Sequence, residues 1–124
     1  MTQELNQVTE RIIGGAFTVA NSMGCGFLEK VYENALSHEL RKAGMKAEQQ
    51  KRLAVHYDNV LVGEYIADLI VEETVLVEIK AAANLDKAHM AQCLNYLRAT
   101  GLSLCLLINF GNPRVQIQRI INNG

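Results

Sequence analysis

The pattern of apolar and polar positions has a helical period up to Gly44 and a strand period after it. In the first part, apolar residues recur at the spacing that places them on one face of a helix. This spacing predicts one helix over residues 3–21 and a second over residues 27–43, with Gly44 suited to the C-cap. Residues 24–26 contain two glycines and separate the two helices.

Five later segments have an alternating or continuous apolar character, which predicts strands at 52–57, 61–71, 75–82, 102–109 and 115–121. A third helix is predicted over residues 84–100, between the third and fourth strands. Since a helix between two strands implies a crossover connection, the sheet should contain both parallel and antiparallel pairs. The sequence therefore predicts an α/β (α+β) fold in the order ααβββαββ, with a mixed sheet of about five strands flanked by helices.

The length of 124 residues predicts one domain over residues 1–124. No apolar run approaches the roughly 20 residues that span a bilayer, and the polar N-terminal segment does not have the composition of a signal peptide. Cys25, Cys93 and Cys105 do not have zinc-site spacing, so we expect free thiols in a reducing compartment. Together these features predict a cytoplasmic protein without a membrane partner.

Three charged residues interrupt two of the apolar strands. Asp68 lies in the second predicted strand, and Glu78 and Lys80 share one face of the third because side chains alternate. Asp68 falls opposite or diagonal to Glu78 only if the connecting turn is an odd-numbered loop centred on Glu73. A two-residue loop at positions 72–73 would place the two carboxylates on opposite faces. In the alternative interpretation, Asp68 is an edge-strand charge that discourages aggregation, and Glu78 and Lys80 are an ordinary solvent-facing pair on one strand.

Two carboxylates that face each other across a strand pair repel, and a divalent cation converts that repulsion into binding. Oxygen ligands of this kind suit Mg²⁺ or Mn²⁺. A lysine two residues beyond the second carboxylate can reach the same pocket, where it can hold a water or neutralise a phosphate. Metal-assisted hydrolysis of a phosphodiester needs these functions.

The spacing from Asp68 to Glu78-Ile79-Lys80 resembles the core motif of the PD-(D/E)XK nuclease superfamily, with Ala67 in place of the proline. By itself this motif is weak, because chance produces it often. Its value here comes from its position on two adjacent apolar strands that lie between helices. The superfamily fold, a mixed sheet flanked by helices, agrees with the predicted order of elements.

Two further motifs support the resemblance. Residues 26–32 have the pattern G-x-x-E-x-x-Y, which resembles the signature of the small bacterial GxxExxY family assigned to this superfamily. Gln92 and Tyr96 form a Q-x-x-x-Y motif that resembles the helix motif of exonuclease-type members. Their spacing of four places both side chains on one face of the third helix.

The resemblance implies roles for seven residues. Its metal ligands would be Asp68, Glu78, the carbonyl of Ile79, and Glu29. Its catalytic residues would be Lys80, Glu29, Gln92 and Tyr96. Lys80 would position or activate the attacking water, and Gln92 and Tyr96 would orient Lys80 or contact a substrate phosphate. Glu29 would bind the metal directly or through a water.

The function that the resemblance implies is Mg²⁺- or Mn²⁺-dependent hydrolysis of phosphodiester bonds in nucleic acid, with DNA favoured over RNA. The net charge of −1 provides no general attraction to nucleic acid. A homodimer or recruitment by another protein could compensate for this. The alternative function is a non-catalytic module that binds nucleic acid or protein on the same fold.

Overall fold

The computed structural model describes residues 2–123. Within that range, the helices are α1 (Gln3–Met23), α2 (Glu29–Lys42) and α3 (Lys87–Thr100). The strands are β1 (Ala47–Tyr57), β2 (Val60–Val71), β3 (Val75–Lys80), β4 (Leu104–Asn109) and β5 (Gln116–Ile121). This order confirms the predicted sequence ααβββαββ.

The five strands described form one mixed sheet in the order β1-β2-β3-β4-β5. All neighbouring pairs are antiparallel except β3 and β4, which are parallel because α3 carries the chain across the sheet between them. The prediction of a mixed sheet flanked by helices is therefore confirmed. Within residues 2–123, none of the helices has the length and apolar character that crossing a bilayer would need.

The core lies on both faces of the sheet. One face packs against α1 and α2 through residues such as Leu69, Val77 and Leu106. The other face packs against α3 and contains Leu76 and Cys105. Because side chains alternate along β3, Glu78 and Lys80 belong to the same face as Leu76, which α3 covers.

The element boundaries agree with the sequence prediction to within two residues except at the starts of β1 and α3. β1 begins at Ala47 rather than at residue 52, because the polar segment 47–51 pairs with β2 and tertiary pairing overrides its weak strand propensity. α3 begins at Lys87 rather than at residue 84, because Asp86 caps it. The Asp86 side chain accepts from the His89 N–H at 2.9 Å, and the His89 ring accepts from the Asp86 N–H at 3.2 Å.

β1 and β2 pair along most of their length, whereas β2 pairs with β3 only through residues 69–71. Residues 51–67 therefore form a two-stranded ribbon that has no pairing with β3. Its turn contains Asp58 and Asn59, which both have positive φ (50° and 63°), as a tight hairpin turn requires. The large exposed apolar side chains of the ribbon are Tyr57, Val60, Leu61, Val62, Tyr65 and Ile66.

Side-chain alternation is interrupted where the ribbon joins the sheet. Ala67 packs on the α3 face and Leu69 on the α1–α2 face, although strict alternation would place them on the same side. Gln50 lies at the corresponding position of β1 and has a positive φ of 53°. In both strands, the side chains therefore change sides of the sheet at the same point, which is Gln50 in β1 and Asp68 in β2.

Candidate functional site

The turn between β2 and β3 places Asp68 opposite Glu78. Val71 pairs with Val75, so the loop contains three residues and is centred on Glu73. Continuing this register places Asp68 across from Glu78. The odd-numbered loop that the sequence hypothesis requires is therefore present.

Beside Asp68, side chains replace the backbone hydrogen bonds between β2 and β3. Pairing between β2 and β3 extends from Val71 to Leu69 and then stops. At the next position, the Asp68 N–H donates to Glu78 Oε1 at 3.2 Å, and the Ile79 N–H donates to Asp68 Oδ2 at 2.8 Å. Both carboxylates are thus fixed by the backbone of the opposing strand.

Burial and mutual repulsion change the ionisation of this pair. Glu78 is 2% exposed. Burial raises the pKa of Glu78 to about 9, and the neighbouring charge of Asp68 adds to the effect. Without a cation, Glu78 keeps its proton at neutral pH.

The donor set fits a hard divalent cation whose remaining ligands come from outside the protein. No cluster of three Asp, Glu, His or Cys side chains arranged to hold a metal occurs within residues 2–123. Asp68 and Glu78 provide two carboxylates. Mg²⁺ commonly binds through one or two carboxylates and keeps its other positions for water and substrate phosphate. A cation would also offset the burial and the repulsion that together make Glu78 retain its proton.

A hydrogen-bonded chain connects Lys80 to α3. Lys80 Nζ donates to Gln92 Oε1 at 3.1 Å, and Gln92 Nε2 donates to the Tyr96 hydroxyl at 2.9 Å. Because an ammonium group can only donate, this bond also fixes which way the Gln92 amide points. Burial, followed by the charge of Glu78, raises the pKa of Tyr96, so its hydroxyl stays protonated.

Asn109 holds the chain just beyond Lys80. This fully buried side chain accepts from the Ala82 N–H at 2.9 Å and donates to the Ala82 carbonyl at 2.9 Å. A Cβ on Gly111 would lie 2.2 Å from the Ala82 carbonyl oxygen, so only glycine fits there. These contacts fix the end of β3 and therefore the start of the Lys80 side chain.

Glu29 is the predicted site residue that no hydrogen bond or ion pair joins to the others in the described part of the chain. It lies in the first turn of α2 and is exposed, and its side chain makes no hydrogen bond or ion pair within the described part of the chain. The tyrosine of the same motif is structural. The Tyr32 hydroxyl donates to the Gly24 carbonyl at 2.6 Å and accepts from the Phe27 N–H at 3.2 Å, and its ring stacks on Phe110.

Glu33 is a buried acid that the sequence reasoning missed. It is 3% exposed, and its carboxylate accepts from the side-chain amides of Gln49 at 2.8 Å and Gln50 at 2.9 Å and from Lys30 Nζ at 3.2 Å. Gln50 falls opposite Asp68 in the β1–β2 register. The available signal was an acidic residue next to the apolar stripe of α2, where burial requires partners.

Comparison with known proteins agrees with this fold. The model of the PD-(D/E)XK nuclease superfamily matches residues 6–120. Solved structures with a similar fold include an alkaline exonuclease (LHK-Exo) from Laribacter hongkongensis, with TM-score 0.53 and 14% identity over 94% of this chain and 81% of that one. No match was found among curated proteins.

A second similar structure is that of SSO0001, with TM-score 0.54 and 16% identity over 75% of this chain. The alignment covers 49% of SSO0001, so this chain spans about half of its length. Identities this low show a shared fold only.

Proposed function

The chain belongs to the PD-(D/E)XK nuclease superfamily, and we propose that it is a divalent-metal-dependent nuclease that hydrolyses phosphodiester bonds of DNA or RNA. The observation that carries the proposal is the pairing of Asp68 with Glu78 where β2 and β3 separate. Lys80 follows two positions later and is held by the Gln92 amide. Metal-assisted hydrolysis uses a carboxylate pair to bind the cation and a positioned ammonium group to hold a water or neutralise a phosphate.

Mg²⁺ or Mn²⁺, held by Asp68, Glu78 and the carbonyl of Ile79, would supply Lewis-acid stabilisation of the charge that develops on the phosphate. Glu78 must first lose its proton, because carboxylates bind cations in their ionised form. Asp68 is oriented for binding by the bond it accepts from the Ile79 N–H. Glu29 would bind the metal through a water, since its side chain is exposed at the start of α2.

Lys80 would hold the attacking water and offset negative charge on the phosphate by donating hydrogen bonds from Nζ. Gln92 limits where that ammonium can lie, because its Oε1 accepts one of the lysine protons. Tyr96 in turn orients Gln92, and its protonated hydroxyl can donate to a phosphate oxygen. Positioning of this kind contributes to catalysis by reducing the freedom of the reacting groups.

The proposal is tested by combining a metal titration with a cleavage assay. Calorimetric titration of Mn²⁺ into wild type should show binding that weakens in Asp68→Asn. Wild type should then cleave nucleic acid only with Mg²⁺ or Mn²⁺ present. Cleavage that persists in excess chelator would contradict the proposal.

Several finer assignments belong to the same proposal. Membership of the GxxExxY group is supported by the motif at residues 26–32, and DNA is proposed ahead of RNA from the superfamily resemblance. Residues 1–124 are proposed to form one nuclease-like domain. A cytoplasmic location is supported by the three free thiols, Cys25, Cys93 and Cys105.

The alternative is a binding module without catalysis. It is favoured by one observation, namely that each carboxylate of the pair already accepts from an N–H group of the opposing strand without a cation. This alternative predicts nucleic-acid or protein binding that does not depend on metal, together with no cleavage by wild type. The metal titration and the cleavage assay separate the two functions.

A further inference from the structure

A groove runs between α3 and the ribbon, starting beside the site. It consists of two concavities, of about 380 Å³ next to Gln92 and Tyr96 and about 490 Å³ next to His56 and Arg98. Tyr65 and Asn95 line both concavities, so the two adjoin at these residues. Volumes of this order are typical of sites for small organic groups.

The lining of the groove is compatible with a polyanion. Among the described residues that line the two concavities, none is acidic, although the chain contains 13 Asp and Glu. Arg98 lies at the far end together with His56, and its guanidinium is exposed. Three of the seven α3 residues that line the groove are alanines, whose small side chains leave room for a chain to approach the helix.

Tyr65 is placed between the two concavities as an aromatic platform. Its side chain is 43% exposed, and its ring centroid lies 5.2 Å from that of Tyr96 at an interplanar angle of 39°. Tyr96 supports one part of the ring while the rest remains open to the groove. Through Tyr96 and Gln92, the platform is connected to Lys80.

We propose that this groove binds single-stranded nucleic acid, with a base stacked on Tyr65 and a phosphate beside Arg98. The inference rests on the proposed function, because the groove leads to the nuclease site. A stacking platform needs an unpaired base with a free face, which a single strand offers and an intact duplex does not. The substrate class is therefore a single strand or an unpaired end.

Because the chain contains no tryptophan, Tyr65→Trp introduces a single fluorescent reporter at the platform. Titration of this variant with a short oligothymidylate in excess chelator should quench the fluorescence to saturation. The matched control is Tyr57→Trp, an exposed ribbon position that lines neither concavity and should show no comparable quenching. Equal quenching in the two variants, or none in Tyr65→Trp, would overturn the proposal.

Binding affinity gives a second readout. Tyr65→Ala should weaken oligothymidylate binding about tenfold, whereas Tyr65→Phe, which retains the ring, should bind like wild type. Arg98→Gln should lower the slope of log affinity against log salt concentration by roughly 0.7, and Arg119→Gln on β5 should leave it unchanged. A blunt duplex that competes as well as the single strand would exclude the single-strand assignment.

Failure of the groove and failure of the nuclease proposal give different results. Tyr65-dependent binding in chelator with no cleavage after Mn²⁺ is added would support the groove and contradict the nuclease. Metal-dependent cleavage of a single strand, with a KM that Tyr65→Ala leaves unchanged, would support the nuclease and contradict the groove.

Discussion

Asp68 and Glu78 use their side chains where a strand pair would normally use its backbone. Each carboxylate accepts from an N–H group of the other strand, so the pair remains fixed where β2 and β3 diverge. This arrangement buries Glu78 beside Asp68, and the pKa of Glu78 is therefore raised to about 9. Two testable consequences follow from these individual residues.

In the metal-free protein, the free energy of unfolding should fall as pH rises from 4.5 to about 9. Between these values the folded protein holds the Glu78 proton that the unfolded chain has released, so the folded state binds more protons. One such group contributes a slope of at most about 1.4 kcal/mol per pH unit. Denaturant titrations across this window should show a flatter dependence in Glu78→Gln than in wild type.

The control for this experiment is Glu64→Gln, which changes an exposed carboxylate of β2 and should keep the wild-type slope. Identical slopes in wild type and Glu78→Gln would contradict the assigned proton.

Asp68→Asn and Lys80→Ala should have different effects. Asp68→Asn removes a proposed ligand and should weaken Mn²⁺ binding by about 10–100-fold or more. Lys80→Ala should keep most of the metal affinity while lowering the cleavage rate by about 10²–10³-fold, because Lys80 is proposed to act on water and phosphate. Calorimetry and single-turnover cleavage measure the two effects, and wild-type cleavage by Lys80→Ala would disprove its role.

Two acids of helix α2, Glu29 and Glu33, have different environments although they are one turn apart. Glu29 is exposed, whereas Glu33 is buried and accepts from two glutamine amides and a lysine. Glu33 therefore fastens α2 to β1 near the position where Gln50 faces Asp68. The motif residue Tyr32 holds the loop that precedes the helix.

Glu33→Gln should lower the free energy of unfolding by about 1–3 kcal/mol, because an amide NH₂ would replace an acceptor that faces donor groups. Glu29→Gln is the matched variant at an exposed position and should change stability by less than about 0.5 kcal/mol. Chemical denaturation measures both values. Mn²⁺ titration of Glu29→Gln then tests its proposed role as a ligand through water, and an unchanged affinity would remove Glu29 from the site.

At the scale of the whole molecule, the ribbon exposes an apolar surface that does not pack against the core. Val60, Val62 and Ile66 lie on one face of the ribbon, and alternation places them opposite the face that carries Tyr65. In the described residues, β2 has no strand partner beside positions 60–67 other than β1. An exposed, unpaired and apolar edge of this kind favours pairing with another chain. This favours the homodimer that the sequence analysis raised, and such a dimer would leave the groove at Tyr65 accessible.

Light scattering coupled to size-exclusion chromatography should give the mass of a dimer at micromolar concentration. Ile66→Lys should shift the protein toward the monomer, because it places a charge in the centre of the proposed interface. Phe17→Lys is the matched control, since Phe17 is equally exposed (46% against 47%) but lies on α1. A monomer at all concentrations in wild type would contradict the dimer.

Much of the architecture could be predicted from periodicity. The order of elements, the mixed sheet and the crossover helix follow from local patterns that each segment carries by itself. The start of β1 could not be predicted, because residues 47–51 become a strand only through pairing with β2. Glu33 was missed for a similar reason, since its partners Gln49 and Gln50 come from another element.

The sequence by itself determined which residues alternate on β3 and which share a face of α3, because both are properties of regular backbone. It thus determined that Glu78 and Lys80 lie on the same face of β3 and that Gln92 and Tyr96 lie on the same face of α3. Only the tertiary structure decided that Asp68 faces Glu78, because this depends on a three-residue turn and on the local inversion at Gln50. Long-range packing likewise decided that Glu29 is exposed and that Tyr65 lies against Tyr96.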